Sequence, residues 1–179
     1  MKVFIAGPRI IRSLDENILK KLNSICNKNY EILVGDANGI DSSVQQHLTS
    51  LKYSNVKVYS SNGIVRNNYG NWQVKSITVD NNIKGFDFYA QKDLEMVKDA
   101  DMGFMIWNGE SKGTFNDIVN LLKINKNVVM YFIPNKKFYF FENMDEFEKF
   151  LTVNVKLNNN LKKILFINTK ANNEQICIF

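Results

Sequence analysis

A chain of 179 residues and 20.7 kDa, 45% hydrophobic and 23% charged, has the composition of a folded globular domain and the length to bury a substantial core. Its apolar runs stop short of the roughly 20 residues a membrane span requires. Cys26 and Cys177 lie far apart and His47 is the only histidine, which argues against a zinc site or a cysteine–histidine catalytic pair and suits a reducing cytoplasm. A net charge of +5 licenses anionic partners without choosing between a nucleotide and a nucleic acid.

Lys2 to Ala6 reads as a first strand, and Pro8-Arg9 interrupts it too early for a signal peptide. Ser13 to Asn27 has helical spacing, with Leu14, Ile18, Leu22 and Ile25 inward. Ser13 is the expected N-cap, completing a capping box with Glu16. Glu31 to Val34 is a short apolar strand, and Ser42 to Leu51 a helix with Val44, Leu48 and Leu51 on one face. Asn55 to Tyr59 alternates as a third strand. The Asn- and Gly-rich stretch Ser60 to Gly85 breaks the pattern, although Trp72 to Val79 has strand character, as an added strand or a loop covering a site. A helix (Phe88 to Ala100), strand (Met102 to Trp107), helix (Thr114 to Ile124) and strand (Asn127 to Ile133) follow. Beyond Pro134, Phe138 to Phe141 is a further strand and Met144 to Leu151 a short amphipathic helix. Repeated βα units of this length predict a Rossmann-like three-layer α/β/α domain with a mainly parallel sheet over residues 1–151. Residues 152–179 form a C-terminal extension of undefined structure, expected to pack on the same domain.

Three loops carry the chemistry. Gly7-Pro8-Arg9, Gly35-Asp36-Ala37-Asn38-Gly39-Ile40-Asp41 and Asn108-Gly109-Glu110-Ser111-Lys112-Gly113-Thr114-Phe115-Asn116-Asp117 each join a strand to a helix. Glycine at such a corner serves either a tight turn with positive φ or the close approach of an anion to a helix N-terminus. In a parallel sheet all three loops lie on one edge, so they are expected to share a crevice. The only arginines, Arg9, Arg12 and Arg66, all fall near that edge, and a guanidinium fork suits phosphate or carboxylate. Trp107 either stacks on a base or belongs to the core. Lys92 and Asp93 either enter the crevice or lie on an exposed helical face. Asp41 is expected to serve its own helix N-terminus, and Asp36 to bind a ribose hydroxyl or restrain Arg9. No metal-ligand set and no cofactor are implied.

Together Gly7-Pro8-Arg9, Gly35 to Asp41 and Ser111-Lys112-Gly113-Thr114 resemble the SLOG superfamily of Rossmann-like domains, over about Met1 to Ile133. That group includes the cytokinin-activating phosphoribohydrolases, the DNA-processing protein DprA and nucleotide-sensing domains of bacterial defence systems. Its glycine motif has two adjacent glycines and then Ala-x-Gly-x-Asp; here Asp36 replaces the second glycine. The resemblance implies a nucleotide-derived ligand, of NAD or ADP-ribose type among others, homo-oligomers, and an effector protein where the domain is a sensor. Backbone N–H groups around Gly39 and Gly113-Thr114, the hydroxyls of Ser111 and Thr114, and Arg9, with Gly109, Lys112 and Arg66 nearby, would hold it.

The phosphoribohydrolases carry Gly-Thr-x-x-Glu for N-glycosidic cleavage, where this chain has Gly113-Thr114-Phe115-Asn116-Asp117. The segment is also similar to Asp-x-Gly-Thr-x-x-Glu of nucleoside deoxyribosyltransferases, whose first strand ends in Ala-Gly-Pro like Ala6-Gly7-Pro8; Ser111 and Asp117 replace the two acids. A shorter carboxylate loses over an ångström of reach, a displacement that can cost about 10²-fold. Three readings follow: a nucleotide sensor or sequestering protein first, then an N-glycosidic hydrolase or transferase using Asp117, then a DprA-like single-stranded DNA binder. Nucleic acid is less expected than a small ligand, because no basic stripe interleaved with aromatics is present. No membrane partner is expected.

Overall fold

The computed structural model describes residues 1–80, 82–156 and 158–165. Within them β1 (Lys2–Ala6), β2 (Glu31–Gly35), β3 (Val56–Ser61), β4 (Gln73–Ile77), β5 (Met102–Trp107), β6 (Val128–Phe132) and β7 (Lys137–Phe141) form one sheet in the order β4-β3-β2-β1-β5-β6-β7. Neighbours are parallel except β7, which runs antiparallel to β6. Helices α1 (Glu16–Asn27) and α2 (Ile40–Ser50) cover one face; α3 (Gly85–Asp99), α4 (Lys112–Lys123) and α5 (Met144–Asn154) cover the other. The chain has a Rossmann-like α/β fold.

Burial of both sheet faces explains the near-continuous apolar strands. In β1, Val3 and Ile5 pack with Ile18, Leu22 and Val44, while Phe4 and Ala6 face Met96 and Phe115. The chain builds outward from β1 through β4 and then returns to place β5 against the other side of β1. That reversal makes a topological switch point between the carboxyl ends of β1 and β5, where open α/β sheets leave a crevice.

Several boundaries differ from expectation. The N-cap of α1 is Asp15, not Ser13: its carboxylate accepts from the N–H groups of Asn17 and Ile18 at 3.0 and 3.1 Å and from the Tyr131 hydroxyl. Leu14 precedes the helix and packs beside its core face. Leu51 is 43% exposed, because α2 ends at Ser50. The buried place on α2 that periodicity misses belongs to Gln45. Its amide donates to the Gly35 and Asn67 carbonyls and accepts from the Tyr69 N–H.

The stretch after β3 is both an added strand and a loop. β4 pairs in parallel with β3, and the intervening segment crosses without a helix. It is tied down instead by Trp72, whose indole donates to the Tyr53 carbonyl at 2.9 Å, and by Asn68, which bonds both backbone groups of Trp72. A last helix over residues 159–165 buries Leu161 and Ile164 in the core beside α5. The remainder of the extension, with Cys177 and the apolar end Ile176 to Phe179, lies outside the described residues.

The capping assignment has a direct test. Asp15→Ala should lower the urea-derived unfolding free energy by about 1–2 kcal/mol, whereas Ser13→Ala should stay within about 0.5 kcal/mol of the parent.

Candidate functional site

A crevice of about 500 Å³ opens at the switch point. Its walls are the segment from Ala6 to Ile10 after β1, the inward face of α3 from Gly85 to Met96, and the β5–α4 loop with the first turns of α4. Ala37 and Asp41 close it from the β2–α2 side.

The floor is a buried charge cluster. Lys92 is only 3% exposed and its Nζ lies 2.5 Å from Asp93 Oδ1. Asp41 and Asp117, both buried, line the same floor, and Asp41 Oδ2 accepts from the Ala37 N–H at 3.3 Å. Gly35 makes the arrangement possible: a Cβ there would stand 2.3 Å from Asp41 Oδ2 and 2.9 Å from Lys92 Nζ. This glycine is thus required by the cluster and does not itself line the crevice.

Charge balance sets the protonation. Burial pushes the Asp41 carboxyl up to about 6, against the pull of the Lys92 ammonium. Burial, and then the charge of Asp93, carries Asp117 well above the usual carboxylate range. Burial works against the Lys92 ammonium, yet Asp93, Asp41 and Asp36 more than offset it and keep Lys92 charged. One ammonium thus stands among three carboxyls, so acidic groups outnumber basic ones on the floor. Among the described residues no cluster of His, Cys, Asp or Glu is disposed to hold a metal ion; here the Lys92 ammonium stands among the carboxyls.

The rim is built from cations and rings. Asp36 grips Arg66 through two side-chain bonds, Nη2–Oδ1 at 2.5 Å and Nε–Oδ2 at 3.1 Å, and also accepts from the Arg66 N–H. Burial opposes ionisation of Asp36, but these bonds hold its carboxyl below the usual range. Asp36 therefore restrains Arg66, not Arg9, and its oxygens are spent on that pair. Arg66 and Arg9 both lie against Tyr89, with guanidinium carbons 5.1 and 4.3 Å from the ring centroid. Lys112 Nζ sits 3.8 Å from the centre of the Phe86 ring.

The crevice thus gathers Gly7, Pro8, Arg9, Ala37, Asp41, Ser111, Gly113, Thr114 and Asp117, with Arg66 and Lys112 attached through the lining rings. Others fall elsewhere. Trp107 is fully buried among Phe115, Phe132 and Phe147, its indole donating to the Ser111 carbonyl, so it belongs to the core and cannot stack on a ligand. Asn38 and Gly39 line a separate polar hollow with Arg12, Ser42 and Tyr69. Gly39 has φ +85°, and a Cβ there would meet the Arg9 carbonyl oxygen at 2.4 Å; it lets the β1–α1 segment cross the start of α2. Gly109 takes φ +83° in the β5–α4 turn, outside the lining. Ser111 and Thr114 bond each other at 3.0 Å, Ser111 capping α4.

The α3 contribution was open or unread in the sequence. Phe86, Tyr89, Asp93 and Met96 recur at helical spacing with Lys92 beside Asp93, and that face lines the crevice. The signal was present, but the charged pair and the Asn- and Gly-rich approach resemble a solvated helix.

Two outcomes follow from the floor. Lys92→Met removes the ammonium from the floor it shares with Asp41, Asp93 and Asp117 and should cost about 3–5 kcal/mol of stability by denaturant unfolding. Asp41 makes stability fall as pH rises, because its carboxyl titrates at about 6 in the fold and about 3.9 in an unfolded chain. The folded state holds the extra proton between those values, a contribution of about 3 kcal/mol that is complete below the lower value and lost above the upper one. Asp41→Asn should therefore gain on the parent between about pH 4 and about pH 7.5 in urea unfolding; a constant difference would contradict the assignment.

No protein-family model matches the chain, and no curated protein sequence does. Among solved structures, DNA processing protein A from Helicobacter pylori, described for its single-stranded DNA binding mode, is similar in fold. The superposition has a TM-score of 0.57 at 15% identity and covers 97% of this chain and 81% of that one.

Proposed function

We propose that the crevice binds a nucleoside or a nucleotide-derived small molecule, and that the protein senses or sequesters it without turning it over. The observation that carries this is the acidic, enclosed floor at the switch point. The Asp93 and Asp41 carboxyls can accept hydrogen bonds from sugar hydroxyls and amino groups, and acidic groups at that depth disfavour a phosphate there. A volume of about 500 Å³ lies within the range of small-molecule sites. Burial raises the Asp117 carboxyl above the usual range, which weakens it as a nucleophile. An effector protein or a second copy of the chain would read out the bound state.

A second reading is single-stranded DNA binding. The likeness to a DNA processing protein over nearly the whole chain and the net charge of +5 favour it. It predicts tight, salt-sensitive binding to an oligonucleotide.

Thermal-shift measurements against the common nucleosides, their monophosphates, NAD and ADP-ribose test the main reading. At least one should stabilise the chain, by about 2.7 kcal/mol at a hundredfold excess over Kd. Asp93→Asn should remove that stabilisation. Silence from every small molecule, together with salt-sensitive capture of an oligonucleotide, would replace this reading by the second. Release of free base during incubation would restore the enzymic one.

A further inference from the structure

The rim holds a pairing that the floor does not explain. Phe86 and Tyr89 stand three residues apart on the first turns of α3, so their side chains are neighbours on one face of the helix. Each ring seats a cation from a different loop: Arg9 from the β1–α1 segment on Tyr89, and Lys112 from the β5–α4 corner on Phe86. Both rings line the crevice. Among the described residues, neither Arg9 nor Lys112 has a carboxylate within ion-pair distance, although Glu110 lies on the same rim. Arg66, the other cation on Tyr89, is neutralised by Asp36 and acts as a strut for the ring.

A ring fixes the position of a cation without cancelling its charge, and leaves N–H donors pointing away from the ring for another acceptor. Two such cations on adjacent rings frame the mouth, directly outside a floor that repels anions. A ligand matching this polarity carries hydroxyl or amino groups at one end and an anion at the other.

We propose that Arg9 and Lys112 form a phosphate clamp at the mouth, so that the ligand is a phosphorylated nucleoside lying sugar-inward, not a free nucleoside. This rests on the reading of the crevice as a nucleoside site. The phosphate then lies against α3 and the β5–α4 corner, away from the Gly39 turn, which faces the separate hollow.

The experiment measures Kd by calorimetry for matched pairs of nucleoside and 5′-monophosphate of the four common bases, at one fixed salt concentration, on the full chain. The monophosphate of the preferred base should bind about 10- to 100-fold tighter than its nucleoside, the scale of two charge-assisted contacts. In the double variant Arg9→Gln, Lys112→Gln, with its fold checked by circular dichroism, that ratio should collapse to about twofold or less. Phe86→Leu, which keeps Lys112 but removes its seat, should lower the ratio in part. Equal binding of nucleoside and monophosphate, or a ratio that survives the double variant, overturns the clamp and leaves the crevice reading intact. Binding of neither member of any pair overturns the clamp, and the crevice reading fails with it only where NAD and ADP-ribose are silent as well.

Discussion

The Lys92 ammonium, enclosed by Asp93, Asp41 and Asp117 beyond the end of β2, is the constraint around which this edge of the sheet is organised. A buried cation needs a counter-charge: its direct partner is Asp93 on the same helix, while Asp41 of α2 and Asp117 of α4 line the same floor and act on it through their charge. The floor thus draws side chains from three helices to the end of one strand. It also excludes a side chain at position 35, since even a methyl group would collide with Asp41 and Lys92. Such a cluster is a poor source of net stability compared with apolar packing, which directs attention to what its exposed oxygens face.

The fold was legible because parallel strands buried on both faces must be largely apolar, and β5 and β6 are so throughout while β1 and β2 are so after their first residue. The boundaries that moved did so where a local bond outweighed spacing: Asp15 took the α1 cap because Tyr131 also needs it, and Gln45 took an inner position because Gly35, Asn67 and Tyr69 needed a partner. The site was legible by location and less so by role. Gly35 and Gly39 look like ligand glycines, yet one makes room for the Asp41–Lys92 approach and the other for the crossing of Arg9. Trp107 at a strand end invites stacking, but the ring cluster of α4 and α5 encloses it. Side-chain partners decide such cases, and spacing along one chain does not encode them.

A shared fold carries little about chemistry, since function resides in the groups displayed at the strand ends. In this chain those groups are of opposite sign at two depths, negative at the floor and positive at the rim. On the proposed reading, discrimination by depth would orient a ligand without a base-specific contact, because the wrong orientation would place like charges together.

The helix-free crossing between β3 and β4 has a consequence for how this chain can vary. Surface loops ordinarily absorb insertions and deletions, yet this one is clipped at Arg66, Asn67, Tyr69 and Trp72 to three parts of the framework, Asp36, Gln45 and Tyr53. Arg66 passes its position on to Tyr89. A change of one residue in loop length would shift the register of those clips and move the α3 wall. An irregular segment is here less free to drift in length than a surface loop ordinarily is.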